Sequence, residues 1–268
     1  MSDLLAFAEE LAREAGAIAA AQFGSSVARR KSDGSLVTKT DEQLDRLLAQ
    51  RIRAAFPDDA ILSEEQVTIY DPQAAHTWVV DPLDGTTNFA RGLPTWGVSI
   101  ALLHSGDPVL GVLYFPLLEE LYSAAQGHGA TRNGEPIHTD SATVMDDEHI
   151  FMECTRTRAR YRLTIPLKSR MMGSAAFHMC KVADGSAMAG SEATPKVWDI
   201  AAAGLILTEA GGVMGLAHGV PVFPLPPRAM EYRSHSFPIL YAGNVRLLEL
   251  AQAGISAYLR QPSVAQNG

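Results

Sequence analysis

Apolar residues recur at helical spacing from the start of the chain. Leu4, Leu5, Ala8, Leu11, Ala12, Ala15 and Ile18 share one face of a helix predicted over 3–22, and Gly24 ends it. A polar loop is expected from Arg29 to Ser35. Leu44, Leu47, Leu48, Ile52 and Phe56 then mark a second helix, from about Asp41 to Phe56, closed by the turn Pro57-Asp58-Asp59. Ala60 to Ser63 reads as a short strand, 66–75 as a loop, and His76 to Val80 as a strand ending at Asp81-Pro82. Denser apolar runs predict strands at 95–103, 108–115 and 119–124, with Gly106-Asp107 turning between the first two and Asn133-Gly134 turning a hairpin. Further strands are expected at 149–153 and 168–172, and helices at 174–183 and 198–210, the latter stopped by Gly211-Gly212. Residues 218–237 read as irregular, 239–242 as a last strand, 245–259 as a last helix, and 262–268 as a disordered tail. This order suggests an α+β half, 1–140, joined to an α/β half, 141–268.

Composition narrows the class. Of 268 residues, 47% are apolar and 19% charged, which suits a folded globular chain. The formal net charge of −8 disfavours general nucleic-acid binding, which needs a basic footprint, and suits divalent cations better. No apolar run reaches the roughly 18 residues of a membrane span. The start lacks a basic stretch, so no signal peptide is expected. Cys154 and Cys180 are far apart, which argues against a disulfide scaffold or cysteine zinc site and makes a reducing cytoplasm the default location.

The candidate chemistry centres on Asp81-Pro82-Leu83-Asp84-Gly85-Thr86-Thr87-Asn88, delivered by the apolar run Trp78-Val79-Val80. Proline bends the chain between two carboxylates, so both can face one point as hard oxygen ligands for Mg²⁺. Gly85 allows close backbone approach, and the N–H groups that follow can form an anion nest. A bare DxxDG is more readily a surface turn, but eight consecutive residues of this kind after a buried-looking strand favour the metal site. Glu64-Glu65, Asp41 and Asp199 are further candidates. Each also has an ordinary reading: solvated charge for the glutamates, helix capping for the aspartates.

LSEE, DPLDGTTNFARG, WDIAAAGLILTEAGG and VTKTD, in these positions, resemble blocks of the inositol monophosphatase family, Mg²⁺-dependent and lithium-sensitive phosphatases. The resemblance spans about residues 5–259. It implies a sugar-phosphatase fold, a layered α/β/α/β/α sandwich with the site between two sheet-containing halves. By the same resemblance, Glu64, Asp81 and the Leu83 carbonyl would hold a first Mg²⁺, and Asp81, Asp84 and Asp199 a second. A third would lie near Glu64 and Asp41. Asp41, Glu64 and Thr86 are then the catalytic candidates, with Thr86 and Asp41 orienting the attacking water. Gly85 and Thr86 N–H groups would hold the phosphate, and Asp84, Asp199, Ser174, Ala175 and Glu192 would face the substrate. The implied substrate is a small phosphate ester, first myo-inositol 1-phosphate, with histidinol phosphate, fructose 1,6-bisphosphate or 3′-phosphoadenosine 5′-phosphate as alternatives. A homodimer, Mg²⁺-linked stability and no nucleic-acid or membrane partner are also expected. A silent metal-binding scaffold is the alternative of another class.

One segment departs from the family pattern. Family members commonly carry a helix between the strands near 150 and 170, and the short stretch after Cys154 leaves little room for one. Arg156, Arg158, Arg160 and Arg162 alternate there, so an extended strand would project all four from one face. Such a row suits a second phosphate, or else a solvated edge that discourages strand pairing. His178 reads as a packed residue rather than a ligand. Arg228, Arg233 and His235 fall in the irregular stretch, within possible reach of a site rim. No GxxxxGK[ST], HExxH or GxSxG occurs, and Gly127-His128-Gly129 fits a hairpin better than a dinucleotide loop.

Overall fold

The computed structural model describes residues 2–24, 28–31, 36–216 and 221–257. Helix α1 (Ser2–Gln22) leads to strands β1 (Ala28–Arg30) and β2 (Leu36–Thr38) and to helix α2 (Lys39–Ala55). Strands β3 (Ala60–Ser63), β4 (Ile69–Tyr70) and β5 (His76–Asp84) precede the short helix α3 (Thr86–Arg91). Then come β6 (Gly97–His104), β7 (Asp107–Phe115), β8 (Glu120–Ala125), β9 (Ala130–Arg132) and β10 (Glu135–Ile137). The rest of the chain holds β11 (Ile150–Glu153), α4 (Thr155–Arg160), β12 (Tyr161–Leu163), β13 (Lys168–Arg170), α5 (Ala175–Ala183) and β14 (Ala189–Glu192). It closes with α6 (Val197–Glu209), β15 (Val213–Leu216), β16 (Met230–Glu231), β17 (Ile239–Ala242), α7 (Val245–Ala253) and β18 (Ile255–Ala257).

Two sheets organise these elements. The first has seven strands in the order β10-β9-β8-β7-β6-β5-β3, antiparallel except for the β3–β5 pair. The second has five strands in the order β13-β11-β14-β17-β15. The apolar stripes of α1 and α2 pack on one face of the first sheet, against Trp78, Ile100, Leu102 and Val112. Its other face meets α5 and α6, which also cover the second sheet through Ile239 and Tyr241. Helix α7 closes the far face of that sheet through Leu247 and Ala251. The result is a layered α/β/α/β/α sandwich. Helix α6 is apolar almost all round because it is sandwiched between sheets.

Close approach in these layers depends on glycine. A Cβ on Gly111 of β7 would come within 2.8 Å of the Ala202 carbonyl oxygen and 2.9 Å of its Cα, both in the α6 backbone. Neither atom can swing aside. Gly111→Ala is therefore expected to destabilise the protein by about 1–3 kcal/mol. In a thermal melt this corresponds to a loss of several degrees, roughly 2–4 °C per kcal/mol for a chain of this size. An unchanged melting temperature would show that α6 is not held so tightly.

Several local expectations need correction. Strand β5 does not stop at Val80: Asp81 pairs with Ser99 and Asp84 with Gly97, with an irregularity between them that accommodates Pro82. Helix α2 starts at Lys39, capped by Thr38, so Asp41 lies inside its first turn. Arg29 and Arg30 belong to β1, while 32–35 lie outside the described residues. The loop 66–75 contains β4, which pairs with β16. Residues 155–160 form a helix, so the arginines point in different directions, and a helix of six residues does fit after Cys154. Its cap is the Cys154 Sγ, which accepts from Thr157 N–H at 3.3 Å. The last helix ends at Ala253, and β18 follows, paired with β12. Residues 217–220 and the tail 262–268 lie outside the described residues.

Candidate metal centre and active site

Three element ends converge on one point. The parallel register of β3 and β5 sets Ser63 beside Val80, and Glu64 N–H donates to the Val80 carbonyl at 3.3 Å. That brings Glu64 next to Asp81. The start of α6 is tied to β6 by the Ser99 hydroxyl, which donates to the Trp198 carbonyl at 3.1 Å. Asp199, third residue of α6, then faces the same point, and its Oδ2 accepts from the Lys196 N–H at 2.8 Å. Carboxylate oxygens of Asp81, Asp84 and Asp199 all lie within 4.8 Å of one another. They share a cavity of about 850 Å³ with Glu64, Leu83, Gly85, Thr86, Ser174, Ala175 and Glu192.

The turn at Gly85 is sterically specified. Its φ is +88°, and a Cβ there would fall 2.9 Å from the Thr95 carbonyl oxygen. The next residue, Thr86, places its hydroxyl 2.9 Å from Asp41 Oδ1 and 3.1 Å from the Leu83 carbonyl oxygen. One hydroxyl proton cannot satisfy both acceptors fully, so this trio retains capacity for a water or ion. The other Asp41 oxygen, Oδ2, accepts from the Thr38 N–H at 2.8 Å and from the Thr38 hydroxyl. Asp41 is thus a reciprocal partner in a capping box and also a site residue.

The acidic cluster is electrostatically unfavourable by itself. Burial raises the Asp81 pKa well above the usual carboxylate range, and the charges of Glu64, Asp84 and Asp199 raise it further. Burial likewise raises Asp199, helped by Asp84 and Glu64. Asp84 is pushed up to about 6 by burial, despite hydrogen bonds from the Ser174 hydroxyl and the Ala176 N–H. Asp41 is raised by burial against the opposing hydrogen bonds of Thr38. Clustered hard oxygens that resist ionisation, with a backbone carbonyl beside them, fit a divalent cation.

Glu64 stands slightly apart from this set. Its Oε1 accepts from Lys31 Nζ at 2.8 Å, and the same ammonium reaches Glu65 Oε1 at 2.5 Å. Burial works to lower the Lys31 pKa, but the Glu64 charge and hydrogen bond outweigh it and leave the group raised. Burial, with repulsion from Glu64, pushes Glu65 up to about 7. Arg233 lies on the outer side of this group, with Nη2 3.5 Å from the Glu65 carbonyl oxygen, and does not line the acidic cavity. Neither Arg228 nor His235 lines it.

His178 and Tyr241 had no signal as site residues in the sequence. His178, fully buried, receives the Met172 N–H on Nε2 at 2.8 Å and approaches Glu192 Oε1 with Nδ1 at 2.6 Å. An accepting Nε2 leaves the proton on Nδ1, which therefore donates to Glu192. Tyr241 also donates to Glu192 Oε1, at 3.4 Å. Asn88 reaches the Met172 carbonyl at 2.6 Å, and the Thr95 hydroxyl donates to it at 2.7 Å. The backbone at Met172 is thus held from both sides, which seats Ser174 against Asp84. Only His178 beside the GSAA segment, at one turn's spacing from Ser174, gave any hint of this.

Comparisons with known proteins identify the family. A model described as the inositol monophosphatase family matches residues 1–238. The chain belongs to the inositol monophosphatase family. It is 34% identical over 227 residues to the Nus factor SuhB of Pasteurella multocida, covering 80% of this chain and 85% of that protein. It is 31% identical over 261 residues to inositol monophosphatase 1 of Sus scrofa, covering 91% and 94%. The structure superposes on the Thermotoga maritima IMPase with a TM-score of 0.81 at 26% identity, covering 94% of this chain and 97% of that one. The family is one of metal-dependent phosphatases acting on small phosphate esters. Among the described residues, no helix is long and apolar enough to cross a membrane.

Proposed function

We propose that this family member is a Mg²⁺-dependent phosphomonoesterase for a small polyol or sugar phosphate, with myo-inositol 1-phosphate as the reference substrate. The observation that carries the reading is the set of three carboxylates, Asp81, Asp84 and Asp199, gathered in one cavity beside Thr86 and Asp41. Glu64, Asp81 and the Leu83 carbonyl are the assigned ligands of a first Mg²⁺, Asp81, Asp84 and Asp199 of a second, with Glu64 and Asp41 near a third. When bound, Mg²⁺ supplies Lewis-acid stabilisation of phosphoryl charge and acidifies water.

The protein groups have separable tasks in this reading. Asp41 accepts a hydrogen bond from Thr86, which leaves the Thr86 oxygen lone pairs free to orient the attacking water. The Gly85 and Thr86 N–H groups face the phosphate, and the left-handed turn at Gly85 directs them there. Glu192 uses Oε1 for His178 and Tyr241, so Oε2 is the acceptor for a substrate hydroxyl. Ser174 and Ala175 line the same wall. Lithium sensitivity, a homodimer, a cytoplasmic location and a division of the chain near residue 140 belong to the same proposal. Two free cysteines suit a reducing compartment.

Phosphate release with Mg²⁺ tests the reading on inositol 1-phosphate, histidinol phosphate, fructose 1,6-bisphosphate and 3′-phosphoadenosine 5′-phosphate, with Asp84→Asn as the blank. Mg²⁺-dependent turnover lost in the variant supports it. Bound Mg²⁺ without turnover on any ester would instead favour a silent scaffold. Thr86→Val, which removes only the hydroxyl, is expected to lower kcat by about 10²-fold or more. A kcat within threefold of wild type would remove Thr86 from the mechanism.

A further inference from the structure

The four alternating arginines have different surroundings. Arg158 donates to the buried carboxylate of Glu153, and Arg160 lies 3.4 Å from the Ala193 carbonyl oxygen. Arg162 is exposed on β12. Arg156 is the one of the four that lines the acidic cavity. Among the described residues no carboxylate pairs with it. Its Nη1 donates to Thr194 Oγ1 at 3.2 Å, a hydrogen bond that leaves the guanidinium charge unmatched.

The position of Arg156 on the cavity wall matters. It lines the same cavity as the Gly85–Thr86 turn, together with Cys154, Thr155, Glu192, Thr194 and Pro195. This is the wall assigned above to the alcohol part of the substrate. Glu192 Oε1 accepts from the His178 Nδ1–H and the Tyr241 hydroxyl, and among the described residues Glu192 forms no ion pair with Arg156. A guanidinium with no carboxylate partner on such a wall has planar donors suited to an oxyanion. The cavity has room for more than one phosphate: about 850 Å³ lies near the upper end of small-ligand sites.

We infer that Arg156 receives a second anionic group on the alcohol part of the substrate, either a carboxylate or a further phosphate. The inference rests on the phosphatase reading and narrows it to hydroxylated alcohols carrying such a group.

Matched ester pairs test it. Glycerol 3-phosphate against 3-phosphoglycerate adds a carboxylate, and fructose 1-phosphate against fructose 1,6-bisphosphate adds a phosphate. The wild type is expected to favour the doubly anionic member of at least one pair by about 10- to 100-fold in kcat/KM, the value of a charge-assisted contact. Arg156→Ala and Arg156→Gln should both abolish that ratio, and the pair affected identifies the group. Arg156→Lys should keep part of it, and Arg162→Ala all of it. No preference in either pair, or an equal loss on both members in the Arg156 variants, overturns the inference. The equal loss would mean that Arg156 touches the reacting phosphate instead. p-Nitrophenyl phosphate with Mg²⁺ separates the two levels. No turnover on any ester refutes the phosphatase reading and this inference with it, whereas turnover without preference refutes the inference alone.

Discussion

Asp81→Asn is expected to lower Mg²⁺-dependent phosphate release by about 10³-fold or more, while its metal-free form melts higher than wild type. The two effects share one cause. Asp81 is 2% exposed and lies among Glu64, Asp84 and Asp199, so its charge is costly until a cation is present. An asparagine keeps an oxygen for the Leu83 N–H, which Asp81 Oδ1 accepts at 2.9 Å. It removes the repulsion and adds a donor toward the neighbouring carboxylates. Relief of about 1 kcal/mol would raise the metal-free melting temperature by roughly 2–4 °C. The two measurements are phosphate release and a thermal melt in chelator. Turnover within tenfold of wild type, or a metal-free variant that melts several degrees lower, would contradict the assignment of Asp81 as a shared ligand.

The second large effect is a Mg²⁺ stabilisation that grows with pH. Asp84 is raised from 3.8 to about 6 in the folded protein, and Asp81 and Asp199 are raised with it. Because the unfolded values are lower, the metal-free native state holds more protons than the unfolded chain above about pH 4. Its stability is therefore lost as pH rises through the folded pKa values. A single carboxyl shifted from 3.8 to about 6 corresponds to roughly 2–3 kcal/mol. Mg²⁺ competes with those protons and removes the repulsion that replaces them. The difference in melting temperature between Mg²⁺ and chelator should thus be about 5–10 °C larger near pH 8 than near pH 5. A difference independent of pH would mean that the cluster is ionised without cost, or that Mg²⁺ binds elsewhere.

Much of the site could be read along the chain because its donors lie in short contiguous segments. Asp81 to Thr86 is one contiguous segment, from the end of β5 to the start of α3, and the strand is made buried by Trp78, Val79 and Val80. The same holds for the helices, whose stripes reflect burial against a sheet. Elements chosen by contacts at long range were harder to read. Strand β14 contains Ala189, Gly190, Ser191 and Glu192, a composition with low strand propensity. It exists because β11 and β17 flank it and because the Tyr241 ring occupies the space where Gly190 lacks a Cβ, the ideal Cβ falling 2.4 Å from the Tyr241 hydroxyl oxygen. The segment after Cys154 alternates like a strand, yet it coils. Thr157 is fully buried, and its hydroxyl donates to the Ser191 carbonyl at 2.9 Å, a contact that the helix permits.

The sequence by itself determined the amphipathic helices, most strands of the first sheet, and the acidic segment with its glycine hinge, since each follows from local spacing and local sterics. Tertiary structure alone decided which of four arginines faces the cavity, that Glu64 is shared with Lys31, and that His178 engages Glu192. Those outcomes depend on distances between segments that are 14 to 38 residues apart in the chain. Local periodicity carries no record of such distances, whereas burial and charge make them consequential once the sheets close around the site.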